Sequence, residues 1–253
     1  MAVTGTNGKT TTTYLLKAVL ESALGAKVGL IGTNQNLVGD RALPASRTTP
    51  ESYELQALLR TMADAGCTHV VMEASSIALD QRRTYGIRFA AGIFTNLTED
   101  HLDYHGNMEA YRAAKGLLFR QTDLAILNLD DEAGRWYAET VPCPVFTYSE
   151  RKDRADLVAK NLRLYPSHVE FDAVARNAIG RVFLPIPGAF PSTTPWGSSP
   201  APSTWGWAWT GSSPPSARPP ESRGGWRWCR YRRPTPSSST TPTPPTPWRT
   251  SSP

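Results

Sequence analysis

Thr4-Gly5-Thr6-Asn7-Gly8-Lys9-Thr10-Thr11 follows the apolar pair Ala2-Val3 and runs into a segment, Thr11 to Leu24, carrying Leu15, Leu16, Val19 and Leu20 at helical spacing. A strand end, a glycine turn and a helix therefore come in immediate succession. Gly5 and Gly8 allow the backbone to approach phosphate oxygens closely, and the helix N-terminus supplies N–H groups and partial positive charge. Lys9 is placed to reach β- and γ-phosphates, and the Thr10 hydroxyl to bind Mg²⁺. The general phosphate-loop pattern asks for a glycine six residues before the lysine. That position is Val3, so only the tighter form Gly-Thr-Asn-Gly-Lys-Thr fits. The rival reading, an ordinary glycine-rich turn, does not explain why Lys-Thr falls where a phosphate would need it.

Outward from this loop the chain alternates strand and helix. Lys27 to Ile31 is expected as a short strand, Pro50 to Ala65 as a helix with Pro50 in its first turn, and Val70-Val71-Met72 as a buried strand. Ala90 to Thr95 reads as another strand, Asn107 to Phe119 as a helix capped by Asn107, and Leu124 to Asn128 as a strand followed by a helix from Asp131. Residues 155–187 suggest short strands at a β-rich edge. Such alternation predicts an α/β domain, a mainly parallel sheet flanked by helices. Glu73, at the end of the third predicted strand, is positioned as a ligand over the crevice outside the strand ends; a solvated carboxylate is its plainer reading. Met1 stands just before the first strand ends, which leads us to expect a missing N-terminal segment.

The chain changes character near Phe190. From Pro191 to Pro253 it holds 15 of the 22 prolines and 7 of the 8 tryptophans, with no Ile, Leu, Val, Met, Phe or Lys. An aliphatic core cannot be built from this, so the sequence predicts no stable fold for 191–253. Seven Arg against one Glu in this stretch account for the net charge of +5, leaving residues 1–190 near −1. Basicity confined to a tail does not argue for a nucleic-acid or membrane partner. Cys67, Cys143 and Cys229 are too few and too scattered for a disulfide framework or zinc knuckle. Neither a signal peptide nor an apolar run long enough to span a bilayer is visible, and a reducing cytoplasm is the expected compartment.

Five further segments carry a resemblance. Ser46-Arg47-Thr48-Thr49-Pro50-Glu51, Met72-Glu73-Ala74-Ser75-Ser76, Phe94 to Gly106, Tyr111 to Phe119 and Asn128-Leu129-Asp130-Asp131 resemble, in this order, motifs of the Mur ligases, most closely their MurE branch. The resemblance covers residues 1–190 and implies a Mur-ligase central ATP-binding domain with a P-loop fold. It implies ATP and Mg²⁺ as cofactors, with Gly5, Thr6, Asn7, Gly8, Lys9, Thr10 and Thr11 at the nucleotide. Thr10 and Glu73 would hold metal. His101 and a carbamylated Lys115 would hold a second metal, so that Lys9, His101 and Lys115 form the catalytic set. Thr48, Thr49, Ser75 and Arg83 would contact UDP-N-acetylmuramoyl-L-alanyl-D-glutamate, to which an amino acid, diaminopimelate or lysine, is joined through an acyl phosphate. Ile77 stands where many relatives carry histidine. Read from the residues alone, Lys115 is a solvated helix lysine, His101 a loop histidine and Arg83 a surface charge. Asp100 and Asp103 are expected to order their loop, and Tyr104 and His105 to pack or hydrogen-bond.

Three readings compete. The parental activity reads as that of a MurE-type ligase or of another member of the superfamily such as a cyanophycin or folylpolyglutamate synthetase, and in a different class this chain reads as a nucleotide-binding fragment without turnover. The family's separate domains for the UDP end and the incoming amino acid are not found in the sequence. Oligomeric state and the amino acid added are not encoded in these motifs.

The 191–253 composition also suggests a shifted reading frame. Re-pairing codon bases across Ser192 to Gly197 permits Ile-Tyr-Asn-Ala-Leu-Gly, which would restore the nucleotide-contacting Asn expected soon after Phe190. We predict that resequencing the DNA across the codons for Ile186 to Trp196 finds an inserted or deleted base. A clean open frame there would make the Pro-rich tail genuine.

Overall fold

The computed structural model describes residues 1–185. Residues 191–253, and the Asn expected beyond Phe190, lie outside the described residues.

Among the described residues the backbone forms one mixed sheet of eleven strands ordered β11-β10-β9-β8-β7-β6-β1-β5-β2-β3-β4. The parallel centre consists of β8 (Val145–Ser149), β7 (Ala125–Asn128), β6 (Gly92–Phe94), β1 (Ala2–Thr4), β5 (His69–Glu73) and β2 (Val28–Ile31). Every residue of β1, β2 and β6 is buried. Strands covered on both faces by helices must be apolar throughout rather than alternating, which is why Ala2-Val3 and Val28 to Ile31 read as continuous runs. The helices are α1 (Lys9–Leu24), α2 (Ser52–Asp64), α3 (Ser76–Asp80), α4 (Leu102–His105), α5 (Met108–Gly116) and α6 (Glu132–Thr140).

Local chemistry explains most boundaries. Asn107 caps α5 by accepting from Ala110 N at 2.8 Å, and Asp131 caps α6 by accepting from Ala133 N, also at 2.8 Å. The second predicted helix starts later than expected. Glu51 is its N-cap, in a capping box with Glu54, and Pro50 lies outside the helix. That cap exchanges side-chain and backbone bonds at both ends of the first turn. Beyond Gly116 the fifth helix tightens into a 3₁₀ turn, Leu117–Gln121. The sequence reading missed the antiparallel hairpin β3 (Asn36–Val38) and β4 (Arg41–Leu43), and also β8. At the other end, β9 (Leu157–Leu164), β10 (Val169–Ala175) and β11 (Ala178–Leu184) form an antiparallel meander within the expected β-rich edge.

Packing sets the helices on the sheet at short range. Leu55 and Met62 of α2 have no exposed surface. Met62 lies so close to β2 that a Cβ on Gly29 would sit 2.5 Å from its sulfur. On the opposite flank Tyr137 of α6 packs edge-on to Phe94, ring centroids 4.9 Å apart, and donates its hydroxyl proton to Arg112 O at 2.5 Å. This ties α6 to α5, the helix that carries Lys115.

Two glycine substitutions test this packing. At Gly134 of α6 a Cβ would meet Asn128 O at 1.8 Å, a clash with backbone that cannot move aside. Gly134→Ala should cost about 3 kcal/mol through overpacking, seen as a fall in the urea midpoint. Gly180 of β11 has no atom within 4 Å of the same position, and Gly180→Ala should leave stability within about 0.5 kcal/mol.

Candidate functional site

The site gathers at the carboxyl ends of the parallel strands, where ligands bind in open α/β sheets. β1 lies between β5 and β6, so the loops leaving these three strands meet over one crevice. Gly5 makes the closest approach. Its φ is +147°, and a Cβ there would fall 1.9 Å from Thr95 Oγ1. Only glycine can place the loop backbone against the end of β6. Gly8, with φ +84°, begins α1 without any side-chain cap. An uncapped helix start of this kind suits an anion.

The loop from Gly5 to Thr10 is braced by residues of the Phe94 to Gly106 and Asn128 to Asp131 segments, to which the sequence assigned no role. Thr95 Oγ1 donates to Asn7 O at 2.7 Å, and Asn96 Oδ1 accepts from Asn7 N at 2.9 Å. Thr98 N donates to Thr6 Oγ1 at 3.0 Å. Asn128 Nδ2 donates to Thr95 O at 2.8 Å and holds the bracing strand end in turn. Of the loop residues proposed for the nucleotide, Thr11 is solvent-exposed while Thr6, Lys9 and Thr10 are half-buried.

Two lysines converge on one carbonyl. Lys9 Nζ donates to Gly5 O at 2.9 Å and Thr6 O at 2.8 Å; Lys115 Nζ donates to the same Gly5 O at 2.9 Å. Lys115 is 1% exposed, so it is not the solvated helix lysine of the plain reading. Burial pushes its pKa down to about 7, neighbouring Lys9 pushes in the same direction, and Asp100 opposes both. Burial lowers the Lys9 pKa too, against the opposing charges of Glu73 and Asp100. Tyr111, fully buried, links the groups. Its ring lies 4.3 Å from Lys115 Nζ, and its hydroxyl is 3.2 Å from Thr6 Oγ1. The helical spacing of Tyr111 and Lys115, four residues apart, was the available signal for this contact.

Glu73 has no exposed surface, which excludes the solvated-carboxylate reading. Oε1 accepts from Thr10 Oγ1 at 2.9 Å and Thr33 N at 3.0 Å, and Oε2 accepts from Thr33 Oγ1 at 2.9 Å. All three donors are neutral, and no cationic side chain among the described residues pairs with this carboxylate. A buried carboxylate beside a threonine hydroxyl, with no cation in direct contact, fits a hard divalent cation with oxygen ligands such as Mg²⁺.

The other proposed residues divide. His101 is exposed in a left-handed conformation (φ +51°), 3.5 Å from Asp100 Oδ2 and edge-on to Tyr111 at 6.2 Å. It therefore shares Tyr111 with Lys115 without touching the lysine. Among the described residues, no three His, Cys, Asp or Glu side chains converge as a ready metal cluster. Thr49 Oγ1 donates to Glu73 O at 2.9 Å and accepts from Ser75 N at 3.1 Å. Ser75 Oγ caps α3 by accepting from Ala78 N at 3.2 Å. Arg83 is 9% exposed and held by Thr49 O (3.0 Å), Gln81 Oε1 (2.5 Å) and Glu51 Oε1 (3.1 Å). The surface-charge reading of Arg83 is thus replaced by a fixed, desolvated guanidinium. Tyr104 donates to Asp80 at 3.0 Å and His105 Nε2 lies 3.0 Å from Ser76 Oγ, as expected of packing residues.

Comparison with known proteins places this geometry. The Mur ligase middle domain matches residues 3–192. The chain is 44% identical over 190 residues to the UDP-N-acetylmuramoyl-L-alanyl-D-glutamate–2,6-diaminopimelate ligase of Clostridium tetani, and 45% identical over 190 residues to ligase 1 of that name from Clostridium acetobutylicum. Each match spans 75% of this chain and 39% of the relative, so the chain corresponds to about two fifths of the proteins it resembles. A solved structure of a UDP-N-acetylmuramoyl-L-alanyl-D-glutamate–2,6-diaminopimelate ligase superposes with a TM-score of 0.63 at 33% identity, over 72% of this chain and 38% of that one. With the phosphate loop, Glu73 and Lys115 all inside the matched span, the chain belongs to the Mur ligase family through its middle domain.

Proposed function

We propose that this domain is the ATP site of a MurE-type ligase. In that reaction diaminopimelate or lysine is joined to UDP-N-acetylmuramoyl-L-alanyl-D-glutamate through an acyl phosphate, in cytoplasmic peptidoglycan synthesis. The observation that carries the reading is the Thr10–Glu73 contact directly beneath the phosphate loop. The curated relatives, named as diaminopimelate ligases, favour this branch over cyanophycin or folylpolyglutamate synthetases.

The residues suggest a division of labour. Phosphoryl transfer is catalysed mainly by positioning and charge stabilisation. The α1 N-terminus and the loop from Gly5 to Thr10 would bind the nucleotide phosphates. Lys9 would exchange its two carbonyl acceptors for β- and γ-phosphate oxygens. Thr10 and Glu73 would hold Mg²⁺, which, when bound, neutralises phosphate charge. His101 and modified Lys115 would supply a second oxygen- and nitrogen-donor position. Thr48, Thr49, Ser75 and Arg83 would face the acid substrate; Arg83 is pre-oriented for a carboxylate by its buried contacts. The neutral fraction of the Lys115 amine, about half near pH 7, can attack CO₂, forming the N–C bond and releasing a proton, to leave a carbamate anion beside Lys9.

Three outcomes test this reading. The purified 253-residue chain should bind ATP in calorimetry without ligating, because in this family the amino acid is bound by a separate domain; detectable ligation would defeat that part. Lys9→Ala should weaken ATP binding at least about ten-fold, the loss of one charged phosphate contact, or 1.4 kcal/mol. With ¹³C-labelled CO₂ at fixed concentration, a carbamate resonance should grow as pH rises through about 7, where the amine loses its proton, and should be absent from Lys115→Arg. A resonance independent of pH in this range would count against Lys115.

A further inference from the structure

Gly32 and Thr33 leave the end of β2 and belong to none of the segments that carry the family resemblance. Their contacts nevertheless converge on Glu73. Thr33 clips the carboxylate from both sides, its backbone N–H on Oε1 at 3.0 Å and its hydroxyl on Oε2 at 2.9 Å. A Cβ on Gly32 would fall 2.4 Å from Oε1, so a residue with a side chain there would push the carboxylate out of place. Each carboxylate oxygen can accept about two hydrogen bonds. Oε1 has two donors, Thr10 and Thr33 N, and Oε2 has one, so Oε2 keeps an accepting position.

The same hydroxyl faces a second partner. Thr33 Oγ1 is 3.1 Å from Thr48 Oγ1, in the Ser46 to Glu51 loop. A hydroxyl has one proton. With that proton directed to the Glu73 carboxylate, the stronger acceptor, Thr33 receives from Thr48. A continuous series of hydrogen bonds then runs from Thr10 through Glu73 and Thr33 to Thr48. It is joined by a second link at the backbone, where Thr49 Oγ1 donates to Glu73 O.

We propose that Thr33 is a positioning residue for the metal carboxylate. By gripping both oxygens it fixes the orientation in which Glu73 offers its remaining acceptor, and through Thr48 it ties that orientation to the substrate loop. The proposal rests on the assignment of Glu73 and Thr10 to a divalent cation. It concerns the hydrogen-bonded support of a ligand, the kind of contact whose removal weakens metal binding without touching the metal. Thr33 is exposed on the surface and its backbone N–H bond is independent of the side chain, so replacing the hydroxyl removes one of Glu73's three donors and leaves the backbone donor in place.

The test is calorimetric titration of the full chain with ATP, once with Mg²⁺ and once with EDTA, for the unchanged protein, Thr33→Val, Thr33→Ser and Thr48→Val. Thr33→Val should lose about ten-fold or more in affinity for Mg-ATP, with metal-free ATP binding unchanged and the melting temperature lowered by a few degrees, since Oε2 loses its one donor. Thr33→Ser, which keeps the hydroxyl, should restore Mg-ATP affinity. Thr48→Val should shift Mg-ATP affinity in the same direction, and the double variant should be no weaker than Thr33→Val alone, as two members of one hydrogen-bond series require. If Thr33→Val binds Mg-ATP like the unchanged protein, or loses metal-free and Mg-ATP binding equally, Thr33 does not position Glu73 and the proposal fails while the ATP-site reading stands. If the unchanged chain binds ATP equally with and without Mg²⁺, or not at all, the assignment of Glu73 fails and this proposal falls with it.

Discussion

A carboxylate without exposed surface, surrounded by neutral donors, governs the arrangement of the site. Burying a carboxylate requires that its oxygens be hydrogen-bonded, and Glu73 meets this with three donors from hydroxyl and backbone groups. The strand ends are organised to supply them. β5 delivers the carboxylate, β2 delivers Thr33, and the helix following β1 delivers Thr10. Lys9 and Lys115 stay off Glu73, converging instead on Gly5 O. A direct lysine–glutamate pair would satisfy the carboxylate permanently; keeping the amines apart leaves Glu73 without an ion-pair partner among the described residues.

Lys115 is buried and Lys9 half-buried, and both donate to Gly5 O. Tyr111 supports them: its ring packs against Lys115 and its hydroxyl reaches Thr6. The loop is therefore held by aromatic and amine contacts as well as by the hydrogen bond from Thr10 to Glu73. Its own glycine at position 5 is pressed against Thr95. Little of this scaffold can move independently, which suits chemistry that depends on placing phosphate oxygens accurately.

Much of this was legible in the sequence, and the exceptions are instructive. The glycine turn between β1 and α1 could be read because its glycines, lysine and threonine are contiguous and flanked by periodic apolar runs. The strand-end position of Glu73 could be read because a carboxylate ending an apolar run is conspicuous. Thr33 could not: a threonine after Gly32 is chemically unremarkable, and its importance arises only when β2 and β5 pair in parallel and bring residues forty positions apart into contact. Tyr111 was visible within its motif, but its tie to Thr6 spans 105 residues. The burial of Arg83, against its plain reading as a surface charge, was not legible because its partners Thr49 O and Glu51 come from another loop. The β3–β4 hairpin escaped because each strand has only three residues, too few to establish a period. Contacts close in sequence were recoverable; those created by strand order were not.

The meander β9–β11 continues the parallel sheet through β8, yet it is built differently. Every residue of β10 is only half-buried, and Ile179 and Phe183 of β11 are largely exposed. Its strands are thus only partly covered, whereas β1, β2 and β6 are buried throughout. Protection of amide hydrogens follows burial and local contact density. The single ladder should accordingly exchange as a gradient, fastest at β11 and slowest at β1, so that the strand bearing the phosphate loop is the last part of the sheet to open.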